Sequence, residues 1–148
     1  MSIIYGPVSS WRLGRSLGID LLNTKRKTCS FNCVYCQLGE TSQVVTQRKE
    51  FISLEQLGRE IESVRQIEAD HATFSGMGEP TLASNLGEAI DMVKSVLDLP
   101  IAVLTNSSLM FREDVRGELD RADVVVAKLD APNEELFATV NKPAPGLH

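Results

Sequence analysis

Ser16-Leu17-Gly18-Ile19-Asp20-Leu21-Leu22 is the first of four short segments that decide the fold class of this 148-residue chain. It is apolar almost throughout, as is typical of strands in a parallel sheet whose two faces are both covered. Three later segments share this character: His71-Ala72-Thr73-Phe74-Ser75, residues 100–105 and residues 123–130. Together the four segments predict the strands of one parallel sheet.

Each predicted strand is followed by a segment with apolar residues at helical spacing. The first helix is predicted to begin at Ser53, because Ser53-Leu54-Glu55-Gln56 is a capping box. The other helices are predicted over residues 84–97, 112–121 and 133–141. Gly and Ser breakers predict that residues 1–15 form a loop, in which the sole tryptophan, Trp11, is packed. A β-α unit repeated four times predicts an α/β fold with right-handed crossovers.

The four β-α units are too few to close a barrel of this type. The chain ends at Pro145-Gly146-Leu147-His148, soon after the fourth predicted helix, and Val124-Val125-Val126 would leave an apolar strand at the last edge of the sheet. We therefore expect one domain over residues 1–148 that is truncated at its C-terminus. The alternatives are a compact half-barrel and an edge strand that pairs with a second copy.

The composition is that of a globular domain, with 43% hydrophobic and 24% charged residues. The sequence shows neither a secretory signal nor an apolar run long enough to cross a bilayer, so no membrane association is expected. Three clustered cysteines favour a reducing cytoplasm. Residues 1–50 carry a net charge of +4 and residues 51–148 one of −9. The basic part is either simply solvated or a rim that meets a phosphate-bearing substrate or an acidic electron donor.

All three cysteines lie within Cys29-Ser30-Phe31-Asn32-Cys33-Val34-Tyr35-Cys36. Three thiolates on one short loop suit an iron–sulfur cluster or a zinc ion better than a disulfide. A ferredoxin-type cluster needs a fourth cysteine, which the sequence lacks, so a 4Fe–4S cluster would keep one iron without a protein ligand. Zinc would need His71 or His148 as its fourth ligand. The compact triplet favours the cluster.

Polar or glycine-rich residues follow the other predicted strands. Gly76-Met77-Gly78-Glu79-Pro80 follows the second, Thr105-Asn106-Ser107 follows the third, and Lys128-Leu129-Asp130 closes the fourth. Because the carboxyl ends of parallel strands meet at one edge, these segments and the cysteines are predicted to form one site. Each segment also has an alternative interpretation. The glycine-rich segment fits a plain turn, Asn106 fits a cap of the next helix, and Lys128 and Asp130 fit an ion pair.

The cysteine spacing, with Tyr35 before the last cysteine, resembles the signature of the radical SAM superfamily. Ser75-Gly76-Met77-Gly78-Glu79-Pro80 is similar to that family's Gly-Gly-Glu-Pro segment, with Met77 between the two glycines. The resemblance covers about Gly6 to Asp130 and implies a three-quarter, TIM-like barrel, of which this chain would hold the first four β-α units. Residues 6–20 and 36–39 further resemble small Fe–S oxidoreductases related to wyosine-forming tRNA enzymes, although the extra cysteines of those tRNA enzymes are absent here.

This resemblance implies a 4Fe–4S cluster on Cys29, Cys33 and Cys36, with S-adenosylmethionine on the open iron. It implies one electron from reduced flavodoxin or ferredoxin, cleavage of the cofactor to a 5′-deoxyadenosyl radical, and hydrogen abstraction from a substrate, for which tRNA is the leading candidate. The cofactor-binding residues that it implies are Tyr35, Ser75, Gly76, Gly78, Glu79, Pro80, Thr105, Asn106, Lys128 and Asp130.

Two functions of other classes compete with this hypothesis. A zinc-binding or redox-sensing module would bind metal through the same cysteines without turning over S-adenosylmethionine. An inactive barrel fragment would fold, and would even hold a cluster, without cleaving the cofactor.

Overall fold

The computed structural model describes residues 2–148. Its main sheet has five strands, which are numbered along the chain and lie in the order β1-β2-β5-β6-β7, with β1 over Ile4–Ser10. The four predicted strands are β2 (Gly14–Ile19), β5 (His71–Phe74), β6 (Ile101–Thr105) and β7 (Val124–Ala127). All of these pair in parallel, with Leu17 opposite Ala72, Phe74 opposite Val103 and Thr105 opposite Ala127. The predicted α/β fold with a mostly parallel sheet is confirmed. The sheet of the described residues is open, with β1 and β7 at its edges.

Residues 4–15 are not the loop that the sequence predicted, and Met1, which belongs to the same prediction, lies outside the described residues. Ile4–Ser10 is strand β1, which pairs antiparallel with β2 and turns into it through Trp11 to Leu13. Gly6 and Pro7 looked like loop residues, but an edge strand tolerates proline, and a register shift between Tyr5 and Val8 accommodates the pair. The prediction of a packed Trp11 is also wrong, because its side chain is 94% exposed at the hairpin turn.

Three helices cover one face of the sheet: α1 (Leu54–Ser63), α2 (Leu86–Val96) and α3 (Glu113–Leu119). Their buried residues and the strand residues that face them form one hydrophobic core, which includes Leu17, Phe74, Val103, Leu57 and Ile90. Ser53 caps α1 as predicted and accepts a hydrogen bond from the Gln56 N–H at 3.1 Å. On the other face, strands β2 and β5 carry small or polar residues. There Ser16 and Thr73 share a hydrogen bond of 2.5 Å, and the Tyr5 ring covers Gly18.

The fourth helix, α4 (Glu134–Val140), has no buried residue. It packs against the segment that carries the three cysteines, residues 20–42, which is called the cysteine loop below. The Phe137 ring meets the Phe31 ring edge to face, with centroids 5.2 Å apart. Backbone hydrogen bonds join the loop to the end of this helix and to the residues after it, among them Val34 N–H to Val140 O at 2.9 Å, Asn32 N–H to Asn141 O at 2.8 Å, and Ala144 N–H to Ser30 O at 2.8 Å. The last part of the chain therefore holds the cysteine loop in place.

The segment between β2 and α1 contains a small parallel pair, β3 (Thr28–Cys29) and β4 (Gln43–Val44). Arg48, whose side chain is 6% exposed, fixes the end of this segment. Its guanidinium donates to the carbonyls of Thr81 at 2.6 Å and Ala83 at 2.8 Å, and it pairs with the carboxylates of Glu118 and Asp114. The short 3-10 turn Pro80–Leu82 is thereby tied to α3.

Within residues 2–148, the structure contains no helix with both the length and the apolar character required to span a membrane.

Candidate cofactor site

The three cysteines line a cavity of about 620 Å³ at the carboxyl edge of the parallel strands. A cavity of this size is in the range that holds a small-molecule cofactor. Of the other predicted site residues, those that also line it are Tyr35, Ser75, Gly76, Gly78, Glu79, Thr105, Asn106 and Lys128. Pro80 is buried in the 3-10 turn behind Glu79, and Asp130 lines a neighbouring cavity of about 360 Å³. The fold thus brings together eleven of the thirteen predicted residues.

The cysteines are free thiols in different surroundings: Cys29 is buried, and Cys33 and Cys36 are partly exposed. Burial raises the pKa of the Cys29 thiol. Burial also acts to raise the pKa of Cys36, but a hydrogen bond from Lys27 and the positive charges of Lys27 and Lys128 outweigh it, so the pKa lies below its ordinary value. A lowered thiol pKa favours the thiolate, which is the metal-binding form.

The glycine segment, residues 76–80, lies directly against the cysteine loop. Gly78 forms a β-bridge with Thr28, the residue before Cys29, and the Thr28 N–H donates to the Met77 carbonyl at 3.1 Å. A Cβ on Gly78 would lie 1.6 Å from the Thr28 carbonyl oxygen. Gly76 and Gly78 have φ angles of +154° and +151°, which side chains disfavour. The glycines therefore permit this close backbone approach.

Asp20 is a site residue that the sequence analysis missed. It is 8% exposed, and its carboxylate accepts the N–H groups of Leu22 at 3.2 Å, Asn23 at 2.9 Å and Met77 at 3.1 Å. These bonds end β2, start the cysteine loop and tie it to the glycine segment. The only signal in the sequence was an acid within an otherwise apolar predicted strand.

Glu79 joins the glycine segment to the end of β6. Its carboxylate accepts the hydroxyls of Thr81 at 2.9 Å and Thr105 at 2.6 Å, and the N–H of Asn106 at 3.2 Å. The residue is 2% exposed. Burial raises its pKa to about 7, although these three hydrogen bonds act in the opposite direction. Glu79 thus positions Thr105 and Asn106 at the cavity.

Glu79→Gln is expected to reduce the pH dependence of stability. The folded-state pKa of about 7 exceeds the unfolded value of about 4.3, so the wild-type free energy of unfolding falls as pH rises through this window. The loss is about 3 kcal/mol, and it levels off above the folded-state pKa. Urea unfolding of both proteins at pH 5 and pH 8 measures it. Equal losses in the wild type and the variant would exclude Glu79 as the source.

Tyr35 lies between the two charged residues that follow β7. Its hydroxyl donates to the Asp130 carboxylate and accepts from Lys128 Nζ at 3.2 Å, and Lys128 Nζ lies 4.5 Å from the centre of the ring. Burial and the contact with Asp130 raise the pKa of Tyr35. The alternative of a direct ion pair between Lys128 and Asp130 is therefore replaced by a three-residue contact. The strand ends at Ala127, so Lys128 is the first residue after it.

Asn106 does not cap the next helix, because the N-cap of α3 is Arg112. Its side chain oxygen accepts the Ser108 N–H at 3.0 Å, and its amide donates to Ser30 Oγ at 2.9 Å and Cys29 Sγ at 3.5 Å. The capping alternative is wrong, and the residue faces the cysteine loop.

Neither histidine lines the cavity with the cysteines. His71 Nδ1 lies 2.9 Å from the Leu13 carbonyl, at the opposite end of β5, and His148 lies 3.4 Å from the Glu134 carboxylate. In the described residues, no three His, Cys, Asp or Glu side chains are grouped to hold one metal ion. A structural zinc site needs four converging ligands. The three thiols line one cavity that has no histidine in its lining, and a donor set of thiolates alone is what iron–sulfur clusters use.

Comparisons with known proteins agree with this donor set. A family profile described as the radical SAM superfamily matches residues 26–146. The chain is 45% identical over 97% of its length to a UPF0026 protein of Synechocystis sp., and 42% identical over 97% of its length to one of Methanocaldococcus jannaschii. It covers 54% and 45% of those two proteins. A protein of Brachyspira hyodysenteriae named GTPase Obg is 39% identical over 95% of the chain, which covers 21% of that protein. The chain thus spans about half the length of the UPF0026 relatives that it matches.

Proposed function

Because the chain belongs to the radical SAM superfamily, we propose that its cavity binds a 4Fe–4S cluster together with S-adenosylmethionine, as part of a radical enzyme. One observation carries the proposal: three free cysteines and the glycine segment line the same cavity at the carboxyl edge of a parallel sheet. Cys29, Cys33 and Cys36 would hold three irons of the cluster. When bound, the two groups supply reductive cleavage of S-adenosylmethionine to a 5′-deoxyadenosyl radical that abstracts hydrogen from a substrate.

The charges around the cavity suit a zwitterionic ligand. Arg12, Lys27 and Lys128 line the cavity and provide positive charge for a carboxylate. The two acids that line it, Asp20 and Glu79, are occupied by backbone N–H groups and hydroxyls of the protein. The backbone of residues 76–78 lines the cavity and offers carbonyl groups to a ligand amino group, while the space of the missing Cβ atoms of Gly76 and Gly78 is filled by Asp20 and Thr28.

We propose a flavodoxin or ferredoxin as the electron donor. Lys25 and Arg26 are exposed and come immediately before the buried segment that leads to Cys29. Exposed positive charge beside a cluster attracts an acidic partner and speeds association at low salt. A strong decrease of the reduction rate with ionic strength would support this assignment.

For the substrate we propose tRNA, which rests on the resemblance of residues 6–20 and 36–39 to the wyosine-related group. The competing class is a peptide or a small molecule, which the excess of acidic residues in positions 51–148 favours over a polyanion. Hydrogen transfer from deuterated tRNA into 5′-deoxyadenosine would distinguish the two classes.

Anaerobic reconstitution with iron and sulfide tests the cofactor proposal. We expect about four irons per chain, a visible absorbance band, and an electron paramagnetic resonance signal that changes when S-adenosylmethionine is added. Dithionite reduction in the presence of the cofactor is expected to yield 5′-deoxyadenosine. Protein incubated with zinc under the same conditions is the control. Absence of bound iron, together with stable zinc binding, would contradict the proposal and support the zinc module.

A further inference from the structure

Two of the three cysteine sulfurs accept a hydrogen bond from an asparagine side chain. Asn106 Nδ2 lies 3.5 Å from Cys29 Sγ, and Asn141 Nδ2 lies 3.2 Å from Cys33 Sγ. The third cysteine, Cys36, lines the cavity together with the buried Lys27. These three polar side chains come from three separate parts of the fold: the segment after β6, the end of α4, and the loop itself.

The orientations of the two asparagine amides are determined by their other partners. Asn106 donates to Ser30 Oγ and accepts the Ser108 N–H, so its NH₂ group faces Cys29. Asn141 Nδ2 also donates to the Asp130 carboxylate at 2.9 Å, which accepts hydrogen bonds only. Both amides therefore present N–H groups, and not carbonyl oxygens, to sulfur.

The asparagine and lysine side chains are held rigidly by the protein. Asn141 is 2% exposed, and its own carbonyl accepts the Asn32 N–H from the cysteine loop at 2.8 Å. Lys27 is 5% exposed, and its ammonium group also donates to the Gly39 carbonyl at 2.9 Å. Burying a lysine and an asparagine is costly unless their hydrogen bonds are made. Both side chains are thus fixed where the cysteine sulfurs lie.

Hydrogen bonds to thiolate sulfur stabilise the electron-rich, reduced form of an iron–sulfur cluster and raise its reduction potential. A nearby positive charge acts in the same direction. We propose that Asn106 and Asn141, which donate to Cys29 and Cys33, and Lys27, whose charge lies in the same cavity as Cys36, are positioning residues that set the reduction potential of the cluster. This inference rests on the proposed function. It assigns a role to α4, which places Asn141 against Cys33 and adds no residue to the buried core.

Asn141→Ala tests the proposal in the reconstituted protein. Loss of the donor to Cys33 is expected to lower the ratio of reduced to oxidised cluster at a fixed potential about tenfold. For a one-electron couple, this corresponds to a midpoint potential that is about 59 mV lower. A redox titration followed by electron paramagnetic resonance measures the midpoint potential without relying on activity. The matched control is Asn133→Ala, because Asn133 lies on the same helix and caps it through the Leu136 N–H at 2.9 Å.

Lys27→Met gives an independent second variant, with Lys25→Met, two residues away and exposed, as its control. Lys27→Met is expected to lower the midpoint potential by more than Lys25→Met does. If the midpoint potential were unchanged in both Asn141→Ala and Lys27→Met, with iron content as in the wild type, this inference would be overturned and the proposed function would stand. An equal shift in Asn133→Ala would also overturn it, since the effect would then come from helix stability. Failure of the wild-type protein to take up iron would overturn the proposed function as well.

Discussion

Gly78→Ala is expected to lower the free energy of unfolding by about 3 kcal/mol. The added Cβ would meet the Thr28 carbonyl oxygen at 1.6 Å and its carbon at 2.7 Å. Both atoms belong to the backbone, so no side-chain rotation can relieve the overlap. The bridge between Gly78 and Thr28 must open, and Cys29 then moves away from the glycine segment. Iron uptake on reconstitution is therefore expected to fall together with stability.

Gly117→Ala is the matched control for this experiment. Gly117 lies within α3, and a Cβ there would meet nothing within 4 Å. Alanine is favoured over glycine inside a helix, so the free energy of unfolding is expected to rise by about 0.5–1 kcal/mol. Urea unfolding of the two variants measures both effects. If the two substitutions changed stability by similar amounts, the close contact between the glycine segment and the cysteine loop would be contradicted.

Cys33→Ser is expected to reduce the iron bound after anaerobic reconstitution more than tenfold and to abolish formation of 5′-deoxyadenosine. Loss even of residues that only support metal ligands typically costs about 10–100-fold in affinity, and loss of a ligand itself costs more. Cys33 is partly exposed, so its replacement should leave the free energy of unfolding nearly unchanged.

Ser42→Ala is the control for the cysteine variant, because it alters an exposed side chain in the same loop. Iron content by colorimetric assay and circular dichroism separate loss of the cluster from loss of the fold. Full iron binding in Cys33→Ser would show that Cys33 is not a ligand. A lost circular dichroism spectrum would instead assign Cys33 a structural role, and Cys36→Ser would then have to reproduce the loss of iron in a folded protein.

The parts of the fold that could be predicted are those whose pattern is local. Apolar runs, helical spacing and capping residues located the four parallel strands and the four helices, because these patterns depend on neighbouring residues. Strand β1 was missed because Gly6 and Pro7 signal a loop wherever they occur, and only the pairing of Ile4 with Ile19 shows an edge strand. The bounds of α4 were predicted, but its packing partner was not, because the pattern of a helix does not reveal whether it packs on the sheet or on a loop.

By itself, the sequence determined the family, the candidate metal-binding side chains and their order along the chain. These follow from spacing within Cys29–Cys36 and from the glycines at Gly76 and Gly78. Only the tertiary structure decided which side chains surround the sulfurs. Asn141 donates to the sulfur of Cys33, which lies 108 residues earlier in the chain, and Asn106 donates to the sulfur of Cys29, which lies 77 residues earlier. Such contacts depend on how strands, loops and α4 come together in three dimensions. The spacing of residues along the sequence reflects only contacts between near neighbours, so it carries no signal for these long-range contacts.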